Sequence, residues 1–118
     1  MLFRSAHNGI IDNFKTLSDH QEFITDSSII PYHLYKNKGN IIKTYEMYSG
    51  LLTSWIYNIC THKFNIVKAG SSLYRDEDSF CSMSFENSSS IDKDGIIFLL
   101  KEGQIKEEGT FKIGRAHV

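Results

Sequence analysis

The spacing of apolar side chains changes partway along the 118-residue chain. Before Gly50, apolar residues recur at intervals of three or four positions, which is the spacing of one face of a helix. We therefore predict helices over Ile10–His20 and Ser28–Tyr35, followed by a third that Asn40 caps and Gly50 ends. In the second of these helices Pro31 lies in the first turn, where its missing N–H has no intrahelical acceptor in any case.

From Leu51 onward β-branched and aromatic residues become dense and apolar positions roughly alternate with polar ones, which favours strands. Tight turns at Thr61–Lys63 and Lys101–Gln104 and a polar loop at 86–94 separate the predicted strands. These strands are Leu52–Cys60, Phe64–Lys68, Ser79–Phe85, Gly95–Leu100 and Ile105–Glu108. Helices followed by a run of antiparallel strands predict an α+β fold.

Composition describes one globular domain or a piece of one, since 41% of the residues are hydrophobic and 13% aromatic, with a single proline. The 13 Lys and Arg residues balance 14 Asp and Glu residues and are scattered along the chain, so we expect no nucleic-acid partner. The sequence has no charged leader and no apolar run long enough to span a bilayer. We therefore expect no membrane partner and a cytoplasmic location.

The cysteines and histidines do not form a metal-binding pattern. Cys60 and Cys81 lack the paired spacing of a zinc site, and we interpret both as small, reduced, buried residues within strands. His20, His33 and His62 are dispersed, which is typical of surface or half-buried side chains. We expect neither a metal ion nor a cofactor.

Two other groups of residues receive structural interpretations. Trp55 with Tyr57 is predicted to pack at the core and its rim. The charged run Tyr74–Asp78 is predicted to be a solvated turn.

The tripeptide His7-Asn8-Gly9 is the most informative local feature. Taken alone, Asn-Gly is typical of a tight turn, because both residues tolerate positive φ. Here it connects an apolar segment to a predicted helix start, so the Asn8 side-chain amide and the Gly9 backbone N–H can face one cleft. Two such donors about 3 Å from a developing alkoxide form an oxyanion hole. Gly9 also lacks a Cβ that would block a close approach.

A second candidate, Asp26, stands at the start of the second predicted helix, in the segment Thr25–Ser28. One interpretation is a helix cap, because a carboxylate there meets free N–H groups and the positive end of the helix dipole. A carboxylate held in this way stays ionised and can also accept the α-ammonium group of an amino acid. The two interpretations are compatible.

Four segments, taken together, resemble the glutaminase domain of class II glutamine amidotransferases in order and approximate spacing. They are His7–Asn13, Phe23–Leu34, Lys68–Leu73 and Phe98–Ile105. The resemblance covers residues 6 to 111 and is closest to the glutaminase domains of glucosamine-6-phosphate synthases and of phage and bacterial relatives. It implies an N-terminal-nucleophile hydrolase fold, an αββα sandwich of antiparallel sheets, here lacking its N-terminal part.

The resemblance also implies an activity and roles for residues. Members of the family hydrolyse glutamine to glutamate and ammonia and transfer the ammonia to an acceptor, for which fructose 6-phosphate is our expectation. In the family's pattern Asn8 and Gly9 correspond to the oxyanion hole and Asp26 to the residue that binds the glutamine α-amino group, with Gly9 also contacting the substrate. No cofactor is implied.

Two parts of the family's site have no counterpart in this sequence: the N-terminal cysteine nucleophile, whose own α-amine assists as base, and the arginine loop that holds the substrate carboxylate. Neither Cys60 nor Cys81 matches the nucleophile, so we expect the chain to be inactive by itself. Its expected partners are glutamine, the missing N-terminal half of the same domain and a downstream synthase or isomerase domain. A homo-oligomeric parent protein is also expected.

The two ends differ from the middle of the chain. Residues 1–5 and 113–118 resemble translated sequencing adapters, and we exclude them from the fold prediction. Residues 6–112 are then interpreted as the C-terminal portion of a glutamine amidotransferase type-2 domain.

Two alternatives stay open at the level of sequence. One is the glutaminase domain of another amidotransferase, such as asparagine synthase. The other is a small non-enzymatic α+β interaction module in which His7-Asn8-Gly9 is only a turn. Convergence of Asn8, Gly9 and Asp26 on one cleft would favour an enzyme, whereas an Asp26 side chain on the far side of its helix would favour the module.

Overall fold

The structure, a computed structural model, describes residues 3–11, 13, 17 and 29–112, and for Asn8 and Ile10 it describes the backbone alone. In chain order the elements are β1 (Phe3–Ile11), α1 (Ile29–Lys36), α2 (Ile41–Tyr45), β2 (Gly50–Asn58), β3 (Phe64–Ala69), β4 (Tyr74–Arg75), β5 (Phe80–Cys81), β6 (Ser89–Ser90), β7 (Ile96–Lys101) and β8 (Gln104–Thr110). They form a five-stranded sheet in the order β1-β2-β3-β7-β8 and a three-stranded sheet in the order β5-β4-β6. All pairings are antiparallel, which confirms the predicted α+β class.

The five-stranded sheet buries apolar side chains on both faces, because successive side chains of a strand point to opposite sides. On the helix face, side chains of β1, β2, β3 and β7 form one core with those of α1 and the α2 region. The buried residues of this core are Phe3, Ile11, Ile29, Ile30, Leu34, Tyr45, Tyr48, Leu52, Ile56, Val67, Ala69 and Ile97. On the opposite side, here called the far face, a second core joins Ile66, Ile96 and Phe98 to Leu73 and the partly buried Phe80. The small sheet and its loops therefore cover the far face over β3 and β7.

The helices agree with the sequence pattern where the signal is local. α1 occupies Ile29–Lys36, one residue later than predicted at each end. The predicted Asn40 cap is confirmed, since its side-chain oxygen accepts a hydrogen bond from the Lys43 amide at 3.0 Å. α2 is shorter than predicted and ends at Tyr45, while Gly50 begins β2 rather than ending a helix.

The order of elements differs from the prediction, because a strand precedes the helices. Ile10 and Ile11, predicted to begin a helix, are the last residues of β1 and pair with Leu51 and Gly50. A continuous ladder from Phe3 opposite Asn58 to Ile11 opposite Gly50 overrides the helical spacing, and β-branched residues suit it. The rest of the predicted Ile10–His20 helix, apart from Asn13 and Leu17, lies outside the described residues.

The hairpins are confirmed, whereas the small sheet was missed. β7 and β8 meet at Glu102 and Gly103, whose φ values of 52° and 74° suit a two-residue hairpin turn. Of the predicted strand Ser79–Phe85 only Phe80–Cys81 is a strand, and β4 and β6 lie in stretches predicted to be loops. Strands of two residues are too short to show alternation, so their pairing depends on the fold around them.

Candidate functional site

The segment His7-Asn8-Gly9 lies within β1, at one edge of the five-stranded sheet as described. The three residues pair with Ser54, Thr53 and Leu52 of β2, respectively. From the sequence, this segment was interpreted either as a tight turn or as a junction between an apolar segment and a helix. Both predictions are wrong, because β1 continues for two residues after Gly9. An edge strand still presents alternate backbone groups to its outer side, which is what backbone donation to a ligand requires.

Gly9 has a backbone conformation that a side chain would oppose. Its φ is +119°, and a Cβ built on it would lie 1.9 Å from the carbonyl oxygen of Leu51. The absence of a Cβ thus permits the close approach of the neighbouring strand, and the predicted approach of a substrate to Gly9 stays a prediction. Gly9 itself is exposed.

A buried hydroxyl pair supports β2 behind this segment. Ser54, opposite His7, is 3% exposed, and its Oγ lies 2.5 Å from the hydroxyl of Tyr45 on α2. Burial raises the pKa of Tyr45 well above its usual value, and the hydrogen bond with Ser54 opposes that shift only in part. The hydroxyl of Tyr45 is therefore neutral at physiological pH. Its hydrogen bond with Ser54 joins α2 to β2, the strand that pairs with His7-Asn8-Gly9.

A second buried pair extends the polar contacts into α1. His33 is 2% exposed, and its Nδ1 lies 2.9 Å from the Tyr48 hydroxyl. Burial, and secondarily the neighbouring Tyr45, raises the pKa of Tyr48 strongly. The prediction of a surface or half-buried position is wrong for His33, because Tyr48 provides the buried partner that makes its burial tolerable. It is correct for the exposed His62, and His20 lies outside the described residues.

The segment Lys68–Leu73 is attached to the same part of β2. Thr53, opposite Asn8, donates a hydrogen bond to the Ser71 carbonyl at 3.1 Å and accepts one from the Ser71 hydroxyl at 2.9 Å. The structure thus brings two of the four family-like segments together on either side of β2. Thr53, Ser54 and Tyr45 were not singled out in the sequence, and the two hydroxyl residues within an otherwise apolar strand were the available signal.

Asn13, within the predicted first helix, links the end of β1 to the turn before β2. Its side-chain nitrogen donates to the Met47 carbonyl and its side-chain oxygen accepts from the Ser49 amide, both at 2.9 Å. These bonds hold the turn before β2 against the end of β1.

The expected convergence of Asn8, Gly9 and Asp26 stays a prediction. Asp26 lies outside the described residues, and the side chain of Asn8 is not described. What the structure provides is the backbone position of Asn8 and Gly9 on the edge strand and the contacts that support the strand beside them.

The two cysteines are exposed rather than buried. Cys60 lies in the turn after β2, where its amide donates to the Asn58 side-chain oxygen at 2.9 Å, and Cys81 lies in β5. Trp55 and Tyr57 lie at the rim as predicted: Trp55 is 37% exposed and stacks on Phe64. Hairpin closure places Cys60 in solvent, an outcome that its apolar neighbours did not indicate.

Neither a metal cluster nor a membrane span is found within residues 3–11, 13, 17 and 29–112. No three His, Cys, Asp or Glu side chains of these ranges are grouped closely enough to hold an ion. The described helices are also too short and too polar to cross a bilayer.

Comparison with known proteins gives structural neighbours only. No family model matches the chain, and no curated protein matches it. The structure is similar to the glutamine phosphoribosylpyrophosphate (PRPP) amidotransferase from B. subtilis, complexed with ADP and GMP, with a TM-score of 0.65 and 16% identity over 95% of this chain. It is also similar to a structure described as the allosteric regulatory enzyme of purine biosynthesis, with a TM-score of 0.67 and 16% identity over 96% of this chain.

The chain spans about 30% of the length of the first of these solved chains and 29% of the second. At this identity the likeness concerns the fold. The chain has an α+β architecture of antiparallel sheets that is similar to the N-terminal-nucleophile hydrolase fold of the PRPP amidotransferase.

Proposed function

We propose that this chain is part of a class II glutamine amidotransferase, which hydrolyses glutamine to glutamate and ammonia and transfers the ammonia to an acceptor. One observation carries the proposal: the fold likeness to a glutamine amidotransferase extends over 95% of a chain that keeps His7-Asn8-Gly9 on an edge strand. The order of the four segments noted in the sequence supports it independently of the fold.

The proposed chemistry assigns one role to each candidate. Attack of a nucleophile on the glutamine carboxamide creates a tetrahedral oxyanion, which the Asn8 side-chain amide and the Gly9 backbone N–H stabilise. Asp26 accepts the substrate α-ammonium through a charge-assisted hydrogen bond. The strand position of Gly9, braced by β2, suits a fixed donor, because preorganised donors avoid reorganisation during the reaction.

The nucleophile in this proposal is an N-terminal cysteine carried by another part of the same domain. Cys60 and Cys81 do not take that role, since neither bears a free α-amine and Cys60 lies at the tip of a hairpin. The 118-residue chain is accordingly proposed to be inactive by itself. Its residues 6–112 are proposed to come from the middle of a longer enzyme. That enzyme is proposed to be cytoplasmic and to form homo-oligomers.

The acceptor is proposed to be fructose 6-phosphate, bound by a downstream synthase or isomerase domain. Support comes from the four sequence segments taken together, whose likeness is closest to glucosamine-6-phosphate synthases and to phage and bacterial relatives. The structural neighbours include a PRPP amidotransferase, but at 16% identity they do not distinguish between acceptors.

The test begins with the nucleotide sequence upstream of this chain, which is expected to encode a Met-Cys-Gly start. An extended protein with that start is expected to release ammonia from glutamine. In it, Asn8→Ala is expected to lower kcat by about 10²–10³-fold because one oxyanion donor is lost. Asp26→Asn is expected to raise KM, and Asn87→Gly, in an exposed loop, serves as the matched control with unchanged activity.

Two outcomes contradict the proposal in different ways. Ammonia release by the purified 118-residue chain would overturn its proposed inactivity. An extended protein that folds but lacks glutaminase activity would overturn the enzyme assignment and favour the non-enzymatic interaction module.

A further inference from the structure

A cavity of about 260 Å³ opens on the far face of the sheet, where the small sheet stops short of β1 and β2. Its walls are mainly apolar and come from four strands and the segment before β4. The lining residues that matter here are Trp55, Ile66, Leu73, Phe80, Thr53 and Cys81. Ile66, Leu73 and Phe80 also belong to the far-face core, so the cavity opens at the edge of that core, and Trp55 at its rim is 37% exposed. A concave apolar surface of this kind is the usual form of a small-molecule site.

The walls of the cavity are held in place by contacts outside it. The Trp55 ring stacks on Phe64 with centroids 5.7 Å apart, and Phe80 packs against Phe98 at 5.3 Å. The Ser72 hydroxyl also donates to the carbonyl of Ser82, the residue after β5, at 2.7 Å. These contacts fix the positions of the two aromatic walls.

The lining chemistry selects against charge. No Asp, Glu, Lys or Arg is among the described residues that line the cavity, and His7 of β1 is the one titratable imidazole among them. The Thr53 hydroxyl is already engaged with Ser71 as donor and acceptor, so it offers little to a polar ligand. A charged group placed here would lose its hydration with only the His7 ring as a polar neighbour of its own kind, which makes its entry costly.

Size and shape then define the ligand. Apolar cavities of about 150 Å³ accommodate benzene, and this one is larger, at about 260 Å³. Two of its walls are aromatic rings, which favour stacked or edge-on contact with another ring. We propose that this cavity is a binding site for a small uncharged aromatic molecule consisting of one ring with a short substituent.

The proposal does not depend on glutaminase chemistry, because the test uses the 118-residue chain and a neutral probe, benzyl alcohol. Trp55 is the only tryptophan in the chain, so the ¹⁵N-labelled protein has a single indole N–H signal that reports on the cavity. Titration is expected to shift this signal to saturation. Benzoate has a similar shape but carries a charge, and its affinity is expected to be lower by about tenfold or more.

The two exposed cysteines provide a matched pair of variants. Cys81→Phe fills the cavity and is expected to weaken benzyl alcohol binding by about tenfold or more, whereas Cys60→Phe at the hairpin tip leaves it unchanged. If either variant fails to fold, thiol protection in the unaltered chain replaces it: saturating benzyl alcohol is expected to slow alkylation of Cys81 by iodoacetamide and not that of Cys60. A shift that never saturates, equal binding of benzoate, or equal alkylation of both thiols overturns the proposal.

Discussion

Gly9 is the residue whose identity the backbone most clearly dictates. Its positive φ and the 1.9 Å separation between a Cβ built on it and the Leu51 carbonyl oxygen both oppose any side chain. The sequence singled out this glycine for a chemical reason, the approach of a ligand. The structure adds a steric reason that holds whether or not a ligand binds.

Gly9→Ala is expected to destabilise the fold by about 3 kcal/mol or more, since β1 or β2 must move to relieve the clash. Urea unfolding of the 118-residue chain measures this difference. Gly103→Ala is the matched control, because Gly103 also has positive φ, +74°, but a Cβ there meets nothing within 4 Å. The control is expected to cost only about 1 kcal/mol. Equal losses in the two variants would show that the strand clash is unimportant.

At the residue scale, the sequence predicted local hydrogen bonding better than burial. Asn40 was correctly assigned as a cap because a cap depends on neighbours three positions away. His33, Cys60 and Cys81 were placed wrongly because their exposure depends on distant partners or on hairpin closure. Local sequence does not contain that information.

At the scale of elements, two buried tyrosines, Tyr45 in α2 and Tyr48 just after it, connect α2 to the five-stranded sheet and to α1. Tyr45 and Tyr48 are 2% and 3% exposed, and their rings meet edge to face with centroids 5.6 Å apart. Each hydroxyl has a buried partner, Ser54 and His33 respectively. Ionisation of either ring inside this contact is therefore strongly disfavoured.

This contact predicts a loss of stability in alkali. An unfolded tyrosine ionises with a pKa of about 10, whereas burial raises the pKa of both Tyr45 and Tyr48 in the folded state. Above about pH 10 the unfolded chain therefore loses protons that the folded chain keeps, and the free energy of unfolding falls by about 1.4 kcal/mol per pH unit for each tyrosine. Their stabilising contribution is fully present below that pH.

The measurement is the free energy of unfolding in urea at a series of pH values from about 9 to 11, the range that brackets the pKa of an unfolded tyrosine. Tyr45→Phe is expected to remove about half of the slope. Tyr35→Phe, at a position that is 62% exposed, is the control and keeps the full slope. A slope that Tyr45→Phe leaves intact would contradict the buried contact as its origin.

The elements themselves were predicted where periodicity extends over enough residues. β2, β3, β7, β8 and α1 correspond to predicted segments within about two residues. The exception is β1, where apolar residues spaced like a helix face form a strand because nine consecutive pairings with β2 stabilise it. Propensity is a weak preference, and tertiary pairing overrides it.

At the scale of the whole molecule, one ion pair connects the five-stranded sheet to the loop that follows the small sheet. Lys68 of β3 is 4% exposed, and its Nζ contacts a carboxylate oxygen of Asp94, whose side chain is 48% exposed. The Gly95 amide also donates to the Lys68 carbonyl at 2.9 Å. The polar loop predicted at 86–94 is thus attached to the five-stranded sheet at its C-terminal end.

Removing the carboxylate is expected to leave a buried ammonium group without its counter-ion. Asp94→Asn is expected to lower the free energy of unfolding by about 2 kcal/mol. The loss is smaller than for a fully buried ion pair because the Asp94 side chain is half exposed. Lys68→Met combined with Asp94→Asn is expected to recover most of that loss, since no charge then stays buried. Chemical denaturation of the three proteins measures these differences.

The control is the ion pair between Lys93 and Glu107, whose side chains are 62% and 49% exposed. Glu107→Gln is expected to change stability by less than about 0.5 kcal/mol. If Asp94→Asn costs no more than this control, the pair at Lys68 does not hold the loop to the sheet.

The sequence by itself determined the class of the fold, the two long hairpins, α1 with the cap of α2, and the candidates Asn8, Gly9 and Asp26, because periodicity, turn residues and motif order are local properties. Only the tertiary structure decided that His7-Asn8-Gly9 lies in an edge strand, that the five-stranded sheet runs β1-β2-β3-β7-β8, and that Tyr45, Ser54 and Thr53 support it. These contacts join residues far apart along the chain, and their energies arise only once the strands have paired and water has been excluded from between them.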